Sequence, residues 1–245
     1  MLYLARDPTS WSGTTPFENV PYILNLLGIH MATALPPIVL SFLLSIPIGW
    51  LANRYSWSRG ALLTLWAVLY AIPSVPLFVV LPLIIGTGIQ DPVNVVIALT
   101  LYGLALMVRS TADGLASVDP DITQSATAVG YSARGRFWRV ELPLAGPVLT
   151  AGLRVVAVST ISLTTVGAVL GIKSLGRLFT EGLQRNIPSE ILTGVVLTVV
   201  IALLFDLLIV LAGRLVLPWN RARPLKVSTE PRIVAFGRGV QGAGA

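Results

Sequence analysis

Side chains that commonly perform chemistry in proteins are scarce in this sequence. The 245 residues include a single histidine, His30, and no cysteine. These two residue types supply many general bases, nucleophiles and metal ligands, and no cluster of paired carboxylates stands in an apolar stretch to replace them. The sequence therefore predicts no catalytic residue and no metal site, which argues against a membrane enzyme.

Two charged residues interrupt long apolar stretches. Arg154 is the only charged residue in 142–172, and Asp206 is the only one in 191–213. A charge inside an apolar segment is costly and is usually paired or functional. Counted from the more basic ends of the two stretches, both side chains lie roughly 10 to 12 Å deep. The sequence thus predicts either a salt bridge between them or an Arg154 side chain that reaches the membrane interface.

One glycine-containing segment bears a superficial likeness to a phosphate-binding loop. Gly167 and Gly171 are followed by Lys173 and Ser174. A P-loop needs four residues between its glycines and a glycine directly before the lysine, so that backbone amides surround the phosphate. Because neither spacing is met, we expect that the chain does not bind ATP itself.

The apolar stretches around these residues are long enough to cross a membrane. Hydrophobic residues make up 54% of the chain and charged residues 11%, whereas soluble proteins carry about 25% charged residues. A membrane-spanning helix needs about 20 apolar residues. Five stretches meet or approach this length, the third being the shortest: 19–53, 60–90, 92–108, 142–172 and 191–213. The sequence predicts an all-α membrane protein with about five transmembrane helices.

Lysine and arginine are distributed unevenly between the connections. If the N-terminus lies outside, twelve of them fall in cytoplasmic segments and four fall outside. Basic flanks are retained in the cytoplasm during insertion, so we expect the N-terminus outside and the C-terminus in the cytoplasm. His30 then lies at the outer end of the first span, where we expect a partly hydrated side chain without a role. The net charge of +6 faces the inner leaflet and does not indicate a nucleic-acid partner.

The sequence divides into three regions. Residues 1–18 are predicted to be a short extracytoplasmic tail, and residues 19–217 a transmembrane domain. Residues 218–245 are basic and rich in glycine and proline, with few large apolar side chains, so they cannot form a core of their own. We expect this last region to be a mobile cytoplasmic tail.

The connection between the third and fourth spans, residues 112–143, carries its own helix signals. Asp119 before Pro120 predicts a helix N-cap. Gly130 can take the left-handed conformation that ends a helix. Ser132 can cap a second helix, which is expected to end at Leu142-Pro143. We call this predicted pair of helices beneath the membrane the two-helix loop.

The two-helix loop resembles the signature loop of ABC importer permeases. That family's pattern is Glu-Ala-Ala, three residues, Gly, nine residues, Ile, one residue and Leu-Pro. The chain keeps this spacing with Gln124-Ser125-Ala126, Gly130, Val140 and Leu142-Pro143. Four more segments are similar to the permeases for glycine betaine, carnitine and choline: Ile72-Pro73-Ser74, Val118-Asp119-Pro120, 138–144 and Ala151-Gly152-Leu153-Arg154.

The resemblance implies a type I ABC importer permease fold in the bacterial inner membrane. It implies that the two-helix loop docks on separate ABC ATPase subunits, which bind ATP and Mg, so that this chain needs no cofactor. Its other implied partners are a second permease, as another copy or a paralogue, and an extracytoplasmic solute-binding protein. The implied coupling residues are Asp119, Gln124, Ser125, Ala126, Gly130, Arg134, Trp138, Arg139, Glu141, Leu142 and Pro143. The implied outer gate residues are Gly171, Leu175 and Gly176.

The predicted function is therefore that of a permease subunit of an ATP-driven importer. The resemblance favours a quaternary amine osmoprotectant as solute: glycine betaine, carnitine, choline or proline betaine. A permease for another small solute, such as an amino acid, is an alternative. A channel and a polytopic membrane enzyme are alternatives of a different class. The two-helix loop argues against a channel, which needs no ATPase.

Overall fold

The computed structural model describes residues 10–12 and 15–220, and every regular element in this part of the chain is helical. Most of each predicted tail, 1–18 and 218–245, lies outside the described residues. The helices, numbered along the chain, are α1 (Val20–Arg54), α2 (Ser56–Ala71), α3 (Ser74–Ile85), α4 (Pro92–Ala116), α5 (Pro120–Ala128), α6 (Ala133–Arg136), α7 (Leu142–Thr164), α8 (Gly176–Gln184) and α9 (Pro188–Val216).

The five apolar stretches correspond to helices long enough to cross a membrane. Four are continuous: Pro16–Arg54, Pro92–Ala116, Ala133–Leu170 and Pro188–Val216. Two shorter helices, Arg59–Ala71 and Ser74–Ile85, whose axes meet at 102°, make a fifth span when they are counted as one bent pair. The prediction of an all-α protein with about five spans is confirmed.

The second span is broken where the sequence predicts one crossing. Ile72 and Pro73 both have extended backbone conformations between α2 and α3. The ring of Pro73 disfavours the helical conformation at Ile72, so the helix ends there. Helix α1 behaves differently, because it continues through Pro36, Pro37 and Pro47.

The third span is longer than expected, and the two-helix loop is correspondingly shorter. Helix α4 continues past the predicted end at residue 108 to Ala116, so 112–116 belong to the helix. Its last turns are held by charge pairs: Asp113 accepts a hydrogen bond from Arg59 at 2.8 Å and lies 3.8 Å from Arg109. The loop therefore begins at Ser117. The apolar count missed this extension because polar residues can continue a helix beyond the membrane.

Helix α4 lies at the centre of the fold and packs against α1, α2, α3 and α7. The crossing with α1 is close, because a Cβ atom on Gly103 would lie 2.7 Å from the side chain of Ser41. Val95, Leu99 and Met107 on α4 are fully buried. Among the four continuous spans, Pro188–Val216 has the smallest buried share.

His30 is fully buried, which corrects the expectation of a hydrated interfacial side chain. Its neighbours along α1, Leu26 and Ala34, belong to one apolar cluster with Ile161 of α7 and Leu178 of α8. Because these helices pack over α1 at this level, they exclude water from the imidazole. The position of His30 along the first span could not predict this burial, because the covering helices come from distant parts of the sequence.

Candidate functional site

Helix α5 of the two-helix loop has the predicted caps at both ends. The Asp121 amide donates to Asp119 Oδ1 at 2.8 Å, so Asp119 is the N-cap. At the other end Gly130 has a φ of 97°. The amides of Gly130 and Tyr131 donate to the carbonyls of Thr127 and Ala126, at 3.0 and 3.1 Å. This pair of bonds is a Schellman motif, in which a left-handed glycine ends the helix.

The second helix of the loop was predicted to end at Leu142-Pro143. In the structure it does not end there. Helix α6, capped by Ser132, continues through one π-helical turn (Phe137–Glu141) directly into α7. Pro143 has no backbone N–H, so it cannot donate the hydrogen bond of a regular α-helix. The π-helical turn, in which amides bond five residues back instead of four, lies directly before it. The loop is therefore joined to the fourth span by continuous helix from Ala133 to Leu170.

Arg136 ties the two loop helices together, and the sequence interpretation did not identify it. Its Nη1 donates to Thr127 Oγ1 at 2.8 Å, and its Nε donates to Glu141 Oε1 at 2.6 Å. The Arg136 and Glu141 side chains are mostly buried. An arginine five residues before a glutamate was the available signal, but the contact with Thr127 depends on the turn at Gly130.

Phe137 anchors the loop to the membrane domain. Its side chain is buried in a cluster with Met107 of α4 and Leu149 of α7. The ring also makes edge-to-face contacts with Trp50 at 6.1 Å and with Trp138 at 5.2 Å between centroids. Phe137 therefore connects the loop to α4 and α1 as well as to α7.

The remaining surface of the two-helix loop is open, with apolar side chains among polar and basic ones. Val129 is 80% exposed and Trp138 60%. Gln124, Ser125, Gly130, Arg134 and Arg139 are also exposed, whereas Ala126, Leu142 and Pro143 are half-buried. Exposed apolar side chains grouped with polar ones are typical of a protein-binding surface.

The structure brings Arg154 and Asp206 together. Arg154 Nε lies 2.6 Å from Asp206 Oδ1, and Nη2 lies 2.8 Å from Oδ2, which is a bidentate ion pair between α7 and α9. The Arg154 side chain is 44% exposed and that of Asp206 27%. The guanidinium is thus directed to the carboxylate on the neighbouring helix, the first of the two predicted arrangements.

The three predicted gate residues lie at the end of the fold opposite the two-helix loop and pack tightly. Gly171 has a φ of 83°, and Leu175 is fully buried. A Cβ atom on Gly176 would lie 1.9 Å from the carbonyl oxygen of Thr165. These residues fix the turn between α7 and α8, and a gating role for them stays a prediction.

A charge network around Glu181 of α8 was not predicted. Glu181 accepts hydrogen bonds from Tyr22 at 3.1 Å and from Arg185 at 2.7 Å, and it also pairs with Arg177. The hydrogen bond to Glu181 raises the pKa of the Arg177 guanidinium. Arg185 also binds the fully buried Glu190 at 2.7 Å. The four-residue spacing from Arg177 to Glu181 to Arg185 was the available sequence signal.

The multispan helical fold and the two-helix loop define a membrane permease. Residues 41–222 match the family described as binding-protein-dependent transport system inner membrane component. The chain belongs to this family, whose members are the membrane permeases of ABC importers, and it is a multi-pass protein of the bacterial inner membrane. The family prediction is confirmed.

Several curated relatives cover most of the chain. It is 31% identical over 196 residues to the glycine betaine/carnitine/choline transport system permease protein OpuCD of Bacillus subtilis, covering 80% of this chain and 84% of that one. It is 29% identical over 195 residues to the osmoprotectant import permease protein OsmW of Salmonella typhimurium, covering 78% and 90%.

Solved structures show the same fold. The chain resembles a subunit of the inward-facing MetNI methionine ABC transporter with a TM-score of 0.71 and 17% identity, covering 79% of this chain and 95% of that one. A chain of an amino acid ABC transporter with histidines aligns with a TM-score of 0.66 and 18% identity, covering 80% and 94%. At this identity the likeness concerns the fold alone.

Proposed function

We propose that this chain is the membrane-spanning subunit of an ATP-driven importer of quaternary amine osmoprotectants: glycine betaine, carnitine, choline or proline betaine. The observation that carries the proposal is the 31% identity, over most of both chains, with a permease named for three of these solutes. The carnitine transport permease protein OpuCD of Listeria monocytogenes, 28% identical over 209 residues, supports the same solute class.

The two-helix loop is proposed to receive the movement of ABC ATPase subunits on the cytoplasmic side. Its exposed surface around Val129, Gly130 and Trp138 is the docking surface, and the Arg136 contacts make α5 and α6 move together. Continuous helix from Ala133 then carries the displacement into α7. This is rigid-body coupling of an effector site to a transmembrane helix.

The other components follow from this arrangement. The ATPase subunits bind ATP and Mg, and this chain contributes no nucleotide site. A second permease, as another copy or a paralogue, completes the solute path, and an extracytoplasmic binding protein delivers the solute. We propose the N-terminus outside and the C-terminus inside, because most basic residues then lie in the cytoplasm.

Uptake into proteoliposomes tests the proposed solute class. The purified complex of this chain with its ATPase and binding protein is reconstituted with ATP inside, and radiolabelled choline, glycine betaine and carnitine are supplied outside. We expect ATP-dependent uptake of at least one of them and none of methionine or histidine. Uptake of an amino acid without uptake of any quaternary amine would refute the proposal in favour of the alternative permease.

A further inference from the structure

The break between α2 and α3 lies near the middle of the membrane. Tyr102 on α4 lies beside the break, because its hydroxyl donates to the carbonyl oxygen of Ile72. At about 1.5 Å per residue, Tyr102 is about 15 Å along α4 from Pro92 and about 9 Å from Val108, where the apolar stretch ends. A hydrocarbon core is about 30 Å thick. The break therefore lies close to the membrane midplane.

The break leaves backbone groups without hydrogen-bond partners at this depth. Within the described part of the chain, the carbonyl oxygens of Tyr70 and Ala71 accept no hydrogen bond, and the first turn of α3 has no side-chain cap. Open backbone groups are not tolerated against lipid and occur at membrane depth only where they are buried in protein or line a water-filled cavity. This side of α2 therefore faces protein or the solute path.

Aromatic rings surround the same point. The rings of Tyr70 and Tyr102 meet edge to face, with centroids 5.7 Å apart and planes at 78°. Trp66 precedes Tyr70 by one helical turn and so lies on the same face of α2. Tyr102 is buried, whereas Tyr70 is 48% exposed. The Tyr70 ring thus presents an open surface beside free carbonyls at the negative end of the α2 dipole.

We propose that this surface, formed by Trp66, Tyr70 and the carbonyls of Tyr70 and Ala71, with Tyr102 buried behind Tyr70, contacts the quaternary ammonium group of the solute as it crosses the membrane. A quaternary ammonium has no N–H to donate, so it is recognised by aromatic faces and by negative dipoles. Both are present here, and α2 carries no basic side chain after Arg59 that would repel a cation. The inference rests on the proposed function and adds the place where the cation is held.

A purely structural role accounts for Tyr102 but not for Tyr70. The Tyr102 hydroxyl stabilises the broken helix by binding the Ile72 carbonyl. The Tyr70 hydroxyl has no partner among the described residues, and half of its side chain is uncovered at a depth where lipid would not solvate a phenol. An exposed aromatic ring beside carbonyl oxygens that accept no hydrogen bond provides the surface that a transient cation site requires.

Fluorination at position 70 measures the proposed contact, because each fluorine weakens the attraction of a ring for a cation while changing its size little. Phenylalanine with zero to three fluorines is placed at position 70, and choline uptake by the reconstituted complex is measured below saturation. We expect Tyr70→Phe to keep at least about half of the rate, and the trifluorinated ring to lower it about tenfold in total. The same series at Phe17, an exposed residue at the start of the first span, should leave the rate unchanged.

Two replacements guard against loss of folding. Tyr70→Trp should keep uptake within about twofold of the parent, and Tyr70→Leu should lower it about tenfold although loaded binding protein still stimulates ATP hydrolysis. Uptake that is insensitive to fluorination at 70, in a complex that transports choline, would overturn this inference and leave the proposed function standing. A complex that transports no quaternary amine at all would overturn both.

Discussion

Arg154 on α7 and Asp206 on α9 form a bidentate ion pair within the transmembrane region, with nitrogen–oxygen distances of 2.6 and 2.8 Å. Bidentate pairs fix geometry as well as adding energy. Among the four continuous spans, Pro188–Val216 has the smallest buried share, so this pair helps to set the rotation and register of α9 against α7. Because α7 continues from the two-helix loop, we propose that the pair makes α9 follow the movement of α7.

The first prediction concerns this ion pair. Asp206→Arg alone places two like charges side by side and should abolish assembly or uptake, and Arg154→Asp alone should do the same. The exchanged double variant restores an attractive pair and should recover a large part of the uptake rate. Uptake and the thermal unfolding midpoint in detergent are the measurements. Losses that simply add in the double variant would count against pairing.

The second prediction concerns the connection between the loop helices. Arg136→Ala removes the bonds to Thr127 and Glu141 and should lower the free energy of unfolding by about 1 kcal/mol. The larger effect should be on coupling: ATP hydrolysis stimulated by loaded binding protein should fall several-fold while the ATPase still co-purifies. Arg54→Ala, at an exposed arginine at the end of α1, is the control. Stimulation at the parental level in Arg136→Ala would show that the contact is not needed.

The third prediction concerns the turn of the two-helix loop. Gly130 has a positive φ, so Gly130→Ala should lower stability by about 1 kcal/mol, and Gly130→Asn by less because asparagine tolerates this conformation. Gly130→Arg adds a long charged side chain to the proposed docking surface and should also abolish ATPase stimulation. The control is Gly88→Arg, at a position between α3 and α4 with open space around it. Equal behaviour of the two arginine variants would exclude a docking role for Gly130.

The fourth prediction concerns the outer turn. The Cβ atom in Gly176→Ala would meet the backbone of Thr165, so the variant should lose about 3 kcal/mol or fail to assemble. Gly28→Ala is the matched control, because nothing lies within 4 Å of a Cβ atom there. Alanine should be neutral or stabilising at this helical site. Similar unfolding midpoints for the two variants would contradict the packing seen around Gly176.

The sequence predicts the local features of this fold well. Apolar length locates the spans, and Asp119, Gly130 and Ser132 mark helix ends because capping depends on neighbouring residues alone. It does not show which proline breaks a span, since Pro36, Pro37 and Pro47 lie within continuous helix whereas Pro73 follows a break. That outcome depends on tertiary partners such as Tyr102, which binds the Ile72 carbonyl.

The missed site residues share a dependence on distant parts of the chain. Arg136 reaches Thr127 only after the turn at Gly130 is formed, and Glu190 is buried only because α8 folds over it. The burial of His30 likewise requires α7 and α8. The pairing of Arg154 with Asp206 could be proposed because the position of each residue within its apolar stretch gives its depth in the membrane. The sequence does not show towards which helix each side chain points.

Selective labelling of an introduced cysteine tests the central claim that the two-helix loop is cytoplasmic and docks on the ATPase. The chain has no native cysteine, so Val129→Cys, at a site that is 80% exposed, gives one reactive thiol. We predict that a membrane-impermeant maleimide labels it in inside-out vesicles stripped of ATPase, and that rebound ATPase protects it. Leu183→Cys should be labelled from the outer side only. Labelling of position 129 from outside, or equal labelling with ATPase bound, would contradict the account.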